Sequence, residues 1–152
     1  MYERGTADAQ TVAESAVRAC GGLAVERQMD LRIGRPAQHL RVGVDADLAE
    51  RILQPVLENA CRYGATSVHV AIGRENSSVV YTVDDDGPGV AGDDPERIFE
   101  PGVRGAAARS GNDEGAGLGL SLARRLARSI DGDVVADAAA PGGRFVVRLP
   151  RG

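Results

Sequence analysis

Residues 46–64 read ADLAERILQPVLENACRYG. Leu48, Ile52, Leu53, Val56, Leu57 and Ala60 recur at intervals of three and four, so a helix would carry them all on one face. Asp45 stands where an N-cap belongs, and Gly64 stands where a helix readily stops. Asn59 lies beside the apolar stripe, close to Glu58, Arg62 and Tyr63. Asn59 and Arg62 are three apart and share a face. An amide oxygen suits a metal ion and a guanidinium suits a phosphate. A solvated helix flank is the plain alternative.

Downstream, SVHVAIG (67–73) and SVVYTVDD (78–85) alternate apolar and polar residues and read as two strands joined by a turn around Glu75 and Asn76. Upstream, a helix capped by Asp8 would place Val12, Ala16, Val17 and Cys20 on one stripe, with Gly21 and Gly22 weakening it or ending it early. MDLRI (29–33) and LRVGV (40–44) read as short strands. Residues 87–114 are rich in Gly, Pro, Asp and Ala, and a loop of that length is usually functional. LGLSLARRLARSI (118–130) predicts a helix with Leu120, Ala123, Leu126, Ala127 and Ile130 inward, closed by Asp131-Gly132. DVVADAA and GRFVVRLP then form a hairpin across Pro141-Gly142-Gly143. This order predicts an α+β fold, a two-layer α/β sandwich with helices packed on one face of a sheet.

The chain has 152 residues, 43% of them hydrophobic and only 3% aromatic, so its core is built from Val, Leu, Ile and Ala. That length suits one domain. No apolar run approaches the ~20 residues that cross a bilayer. The net charge of −4 argues against a nucleic-acid partner. All 18 basic residues are arginine, which excludes a phosphate loop that needs Gly-Lys-Ser/Thr. Cys20 and Cys61 lack metal-ligand spacing and read as reduced core residues of a cytosolic protein.

Two further stretches carry chemistry. VDDDGPGV (83–90) crowds three carboxylates onto a tight turn. A calcium loop with Gly87 as its sixth position would begin at Thr82, inside a strand and with no helix before it, so calcium fits poorly. An ordinary Asp-Gly turn at a strand end fits well. In NDEGAGLGLSLARRLA (112–127), Gly115, Gly117 and Gly119 alternate into a helix start, where exposed N–H groups favour a phosphate. A flexible hinge is the simpler reading. The glycine spacing is not that of a dinucleotide fingerprint.

Taken together and in this order, the stretches resemble the catalytic ATP-binding domain of sensor histidine kinases, in the superfamily that also holds gyrase-type and mismatch-repair ATPases. LENACRYG looks like the asparagine box, DDDGPGV like the first glycine box, RIFEPGVRG like the phenylalanine box and GAGLGLSLARRLA like the second glycine box. The resemblance covers nearly all of residues 1–152 and implies a Bergerat-type fold, with a mixed, mostly antiparallel sheet and a long ATP lid at about 90–116. It implies ATP and Mg²⁺ as ligands. Asp85 would accept the adenine amine while Asp84 and Asp86 face water or orient it. Asn59 would hold the metal, Arg62 would reach the phosphates and Tyr63 would stack near the base. Gly87 and Gly89 would let the backbone approach adenine, and Gly115, Gly117, Leu118, Gly119 and Leu120 would form the lid's hinge end. Phe99 would anchor the lid, Arg104 would contact the γ-phosphate, and Glu58 would help activate the phosphoacceptor.

The resemblance has departures. Four residues before Asn59, gyrase-type relatives place a glutamate that activates water and histidine kinases often place a second asparagine; this chain has Pro55. A self-sufficient ATPase is therefore disfavoured, and a helix kink is expected there. His39 and His69 are not followed by the acid and Thr or Ser-Pro of a phosphoacceptor motif, and both read as surface residues. The resemblance then implies a cytoplasmic, monomeric catalytic piece of a parent with or without a membrane anchor. Its partners would be a missing dimerisation and phosphoacceptor domain and a downstream response regulator. An anti-sigma-type serine kinase or switch module of the same fold is the alternative.

Overall fold

The computed structural model describes residues 4–88, 95–99, 116–137 and 142–152. Five strands form the main sheet. They are β2 (Asp30–Ile33), β4 (Ser67–Glu75), β5 (Ser78–Asp85), β6 (Asp133–Ala136) and β7 (Gly143–Pro150), in the order β2-β4-β5-β7-β6. Only β2 and β4 run parallel; the other pairs are antiparallel. The hairpin between β4 and β5 turns where the sequence predicts, with Asn76 at φ 55°, a conformation asparagine tolerates better than most residues.

Helices α1 (Ala9–Ala19), α2 (Gly21–Glu26), α3 (Ala46–Tyr63) and α4 (Ala116–Ser129) accompany the sheet. Along β5, Val79, Tyr81, Val83 and Asp85 are buried while the alternate residues are only half-buried. One face of the sheet is therefore covered, and α3 packs on β5 and β7 there while α4 packs on β6 and β7. Tyr81 is fully buried and its hydroxyl donates to the Ala9 carbonyl at 2.7 Å, tying the central strand to the start of α1. Among the described residues no helix is long and apolar enough to cross a membrane.

Several local readings change. Residues Arg4–Asp8 form a strand, β1, which the sequence does not announce because RGTAD lacks alternation. β1 pairs antiparallel with β3 (Arg41–Val44), so LRVGV leaves the main sheet for a separate two-stranded one. Asp8 does cap α1, accepting from the Thr11 N–H at 2.9 Å, but Asp45 occupies the N-cap of α3 without a side-chain cap bond. The first helix does end early, at Ala19, and Gly21 and Gly22 open a second helix, α2, after a break at Cys20. α3 stays helical through Pro55, with Leu48 half-buried and Ala49 taking the fully buried place.

Candidate functional site

β5 ends at Asp85, which pairs with Val68 on β4 and with Gly143 on β7. Asp85 continues the inward-facing series of the strand, so its carboxylate is delivered to the helix side, where it is only 9% exposed. The Gly87 N–H donates to Oδ1 at 2.9 Å. Burial pushes the Asp85 carboxyl up from its usual range, and the N–H groups of Gly87 and Gly143 oppose that shift.

The carboxylate fits because four glycines bring no Cβ atoms against it or its backbone. A Cβ on Gly143 would overlap the Asp85 carboxylate, and one on Gly142 would overlap its carbonyl oxygen. A Cβ on Gly64 would lie 3.2 Å from the Asp85 Cβ and 2.7 Å from the Ala60 carbonyl oxygen. One on Gly87 would overlap the Tyr63 carbonyl. Gly64 is therefore more than a helix stop. It lets the end of α3 lie against the end of β5, and its own backbone is extended rather than left-handed.

Asp84 and Asp86 are not merely solvated. Asp84 accepts from Arg144 Nε at 2.6 Å. Asp86 Oδ1 accepts the N–H groups of Ala65, Thr66 and Ser67 at 3.0, 2.8 and 2.9 Å, and its other oxygen accepts the Thr66 hydroxyl. These bonds hold the Asp86 carboxyl well below the usual range. Three adjacent acids thus do three jobs, and Asp86 clamps the turn after α3 to the end of β5.

Asn59 is on the same helix end and is only 7% exposed, so it is no solvated flank. Its side chain makes no hydrogen bond to another described residue. Among the described residues no group of three His, Cys, Asp or Glu side chains converges as a metal site. A lone amide oxygen nevertheless fits magnesium, which keeps several waters and leans on phosphate oxygens. Arg62 and Tyr63 follow on the last turn of α3, half-buried.

Glu58 points elsewhere. It accepts from Gln54 Nε2 at 2.9 Å and lines a cavity of about 350 Å³ between α3 and α4, with Arg51, Pro55, Leu122 and Leu126. Leu122 there is 51% exposed. Gly119 comes to Pro55 closely enough that a Cβ would sit 3.5 Å from the proline Cβ. α4 begins at Ala116, so Gly117, Leu118, Gly119 and Leu120 are helical rather than a hinge, and Leu120 is buried. Phe99 is buried at the end of a 3₁₀ turn, Pro95–Phe99, with its ring edge-on to Phe145 at 6.1 Å. Gly89, Arg104, Gly115 and most of the expected lid lie outside the described residues.

His69 is exposed on β4, and His39 is exposed with its Nε2 against the Asp8 carboxylate. Cys20 and Cys61 are buried free thiols. The sequence reading missed Gly64, Gly142 and Gly143 as parts of the Asp85 pocket, and it missed Asp86 as a clamp. Their signal was present only as glycines at element ends.

This architecture is that of histidine kinase catalytic domains. The catalytic domain of the histidine kinase ThkA, in a nucleotide-free crystal form, superposes with a TM-score of 0.82 over 98% of this chain and 96% of that one, at 18% identity. Residues 44–152 match the model of the family of histidine kinase-, DNA gyrase B- and HSP90-like ATPases, and the chain belongs to that family. Among curated proteins it is 35% identical to the sensor protein RstB of Escherichia coli over 84% of this chain, and 34% identical to the sensor protein CutS of Streptomyces coelicolor over 98%. The matches span 30% and 36% of those relatives, so this chain corresponds to about a third of their length.

Proposed function

We propose that this chain is the ATP-binding catalytic domain of a two-component sensor histidine kinase. It binds Mg-ATP and presents the γ-phosphate to a histidine on a separate dimerisation domain, from which a response regulator takes it. The observation that carries this reading is the Asp85 carboxylate, buried among four glycines at the end of β5 and next to the Asn59 end of α3. One oxygen is engaged by the Gly87 N–H. The remaining acceptor capacity suits the exocyclic amine of adenine, and the missing Cβ atoms let the ends of α3, β5 and β7 close around the carboxylate. Guanine would place a carbonyl oxygen against the carboxylate, so GTP is rejected.

Asn59 would hold a magnesium ion through its amide oxygen, and that ion, when bound, neutralises charge on the phosphates. Arg62 reaches the phosphates from the last turn of α3, Tyr63 lies beside the base, and Arg104 contacts the γ-phosphate. Transfer breaks the bond from the γ-phosphorus to the ADP oxygen as a phosphorus–nitrogen bond forms to imidazole. Positioning does most of this work. Glu58, facing the α3–α4 cavity with the exposed Leu122, polarises the incoming imidazole from the side where a helical phosphoacceptor domain has an apolar surface to rest on.

A charge-assisted hydrogen bond of the Asp85 kind is worth about 1.5–3 kcal/mol. Asp85→Asn is therefore expected to weaken Mg-ATP binding at least about tenfold by calorimetry; an unchanged affinity removes the assignment. Supplying the parent's dimerisation domain in trans with labelled ATP should place acid-labile label on its histidine. Label on a serine of another protein would instead favour the serine-kinase alternative.

A further inference from the structure

Arg124, on α4, is only 9% exposed. An arginine is almost never that buried unless its charge is met. Its guanidinium carbon lies 4.2 Å from the centre of the Phe99 ring. Nη2 is 2.6 Å from Glu96 Oε1, and Nε is 3.5 Å from Asp133 Oδ1. Asp133 is shared with Arg128, at 3.0 Å. One side chain thus grips the 3₁₀ turn twice, through Glu96 and Phe99, and reaches the start of β6. The second-glycine-box resemblance spans its position but gives it no role.

The far side of the Phe99 contact leads to the candidate site. Phe99 meets Phe145 edge-on, at an interplanar angle of 84°, and Phe145 is 1% exposed on β7. Two residues earlier on that strand is Gly143, whose backbone lies against the Asp85 carboxylate. A shift of the Phe99 ring is passed to Phe145 and to the strand end that walls the Asp85 pocket. Cores are close-packed, so such a displacement is not absorbed locally.

We infer that Arg124 is a positioning residue for the nucleotide site, acting through Phe99. It fastens the end of the 3₁₀ turn to α4 and β6, and so fixes Phe145 and the start of β7 beside Asp85. A guanidinium suits the task because its plane stacks on the ring while its edge hydrogen-bonds Glu96 and keeps its charge near Asp133. A general-purpose staple would make the same contacts but would leave binding untouched. This inference rests on the Mg-ATP reading above, and the test separates the two.

Mg-ATP is titrated calorimetrically into the 152-residue chain and into Arg124→Met, Arg124→Lys, Phe99→Leu and the Arg124→Met/Phe99→Leu pair, with thermal unfolding followed in parallel. No binding by the unaltered chain removes both readings. With binding established, Arg124→Met is expected to weaken it about fivefold. Arg124→Lys, which keeps a cation over the ring, should stay within about twofold. The double variant should be no weaker than the weaker single one, because both act through one contact. Unchanged affinity in Arg124→Met, a multiplied loss in the double variant, or a melting point that drops alone would overturn the inference. Should Arg124→Met not fold, Glu96→Gln loosens the same grip from an exposed position. It should weaken Mg-ATP measurably, and unchanged affinity there overturns the inference equally.

Discussion

Asp85 and Asp86 are neighbours in the chain, yet their environments move their acidities in opposite directions. Burial raises Asp85, so keeping it ionised costs the fold something at neutral pH, and that cost is relieved as pH falls through its raised pKa. In the proposed reading the same protonation would remove the acceptor for the adenine amine. Mg-ATP affinity is therefore expected to fall as the solution is acidified through a range above 3.8, the ordinary aspartate value, while the residual affinity of Asp85→Asn stays flat there. Calorimetry at stepped pH checks the contrast. Asp86 is the reverse case. The Thr66 hydroxyl and the N–H groups of Ser67 and Thr66 lower it, so its contribution to stability is complete above 3.8 and is lost as pH falls below that toward its folded value. Asp86→Ala is expected to lower the melting temperature by several degrees at pH 7, with the difference from the unaltered chain shrinking in strong acid. A constant difference down to pH 2 would separate Asp86 from this role.

At the scale of elements, the glycines divide by what surrounds them. Gly22 lies exposed in α2, and a methyl placed there would meet nothing within 4 Å, so Gly22→Ala should stabilise the chain by roughly 0.5–1 kcal/mol in denaturant unfolding. Gly143→Ala should do the opposite and also abolish nucleotide binding, because its methyl would fall on the Asp85 carboxylate. The α3 face shows how far sequence can be read. Its stripe, its length and the two polar residues beside the stripe were all legible, since helical period and side-chain type are local. Helix α4 and the hairpins were legible for the same reason. β1 was not, because five residues without alternation become a strand only when β3 is there to pair with them. Nor was the Asp86 clamp, since it joins positions some 20 residues apart in sequence. The same limit hid Arg124, which sits among three arginines of α4 and is set apart only by Phe99. The two thiols both lie inward, and burial pushes Cys20 up to about 12 and Cys61 up to about 11. Both should resist alkylation at pH 7.5 until the chain unfolds, as intact mass spectrometry with iodoacetamide would register.

For the whole molecule, the decisive relation is between the two helices that flank the α3–α4 cavity. Hydrolysis needs a base that activates water beside the γ-phosphate, and gyrase-type relatives place a glutamate four residues before the metal-binding asparagine. Here that position is Pro55, which has no titratable group and packs toward Gly119 at the start of α4. Glu58 faces the cavity and is engaged by Gln54, where in the proposed reading it would meet the imidazole of a docked phosphoacceptor domain rather than a water. In the proposed reading the chain would therefore present a γ-phosphate without a base at position 55 to pass it to water, as a phosphate donor to another domain requires. Incubated alone with Mg-ATP, the chain is expected to release phosphate orders of magnitude more slowly than the roughly 1 s⁻¹ that marks the low end of ordinary enzymes. A continuous phosphate-release assay, run at saturating Mg-ATP, measures this directly. Turnover near that low end would mean that water is activated without a base at position 55, and the donor reading would give way to that of a hydrolytic switch.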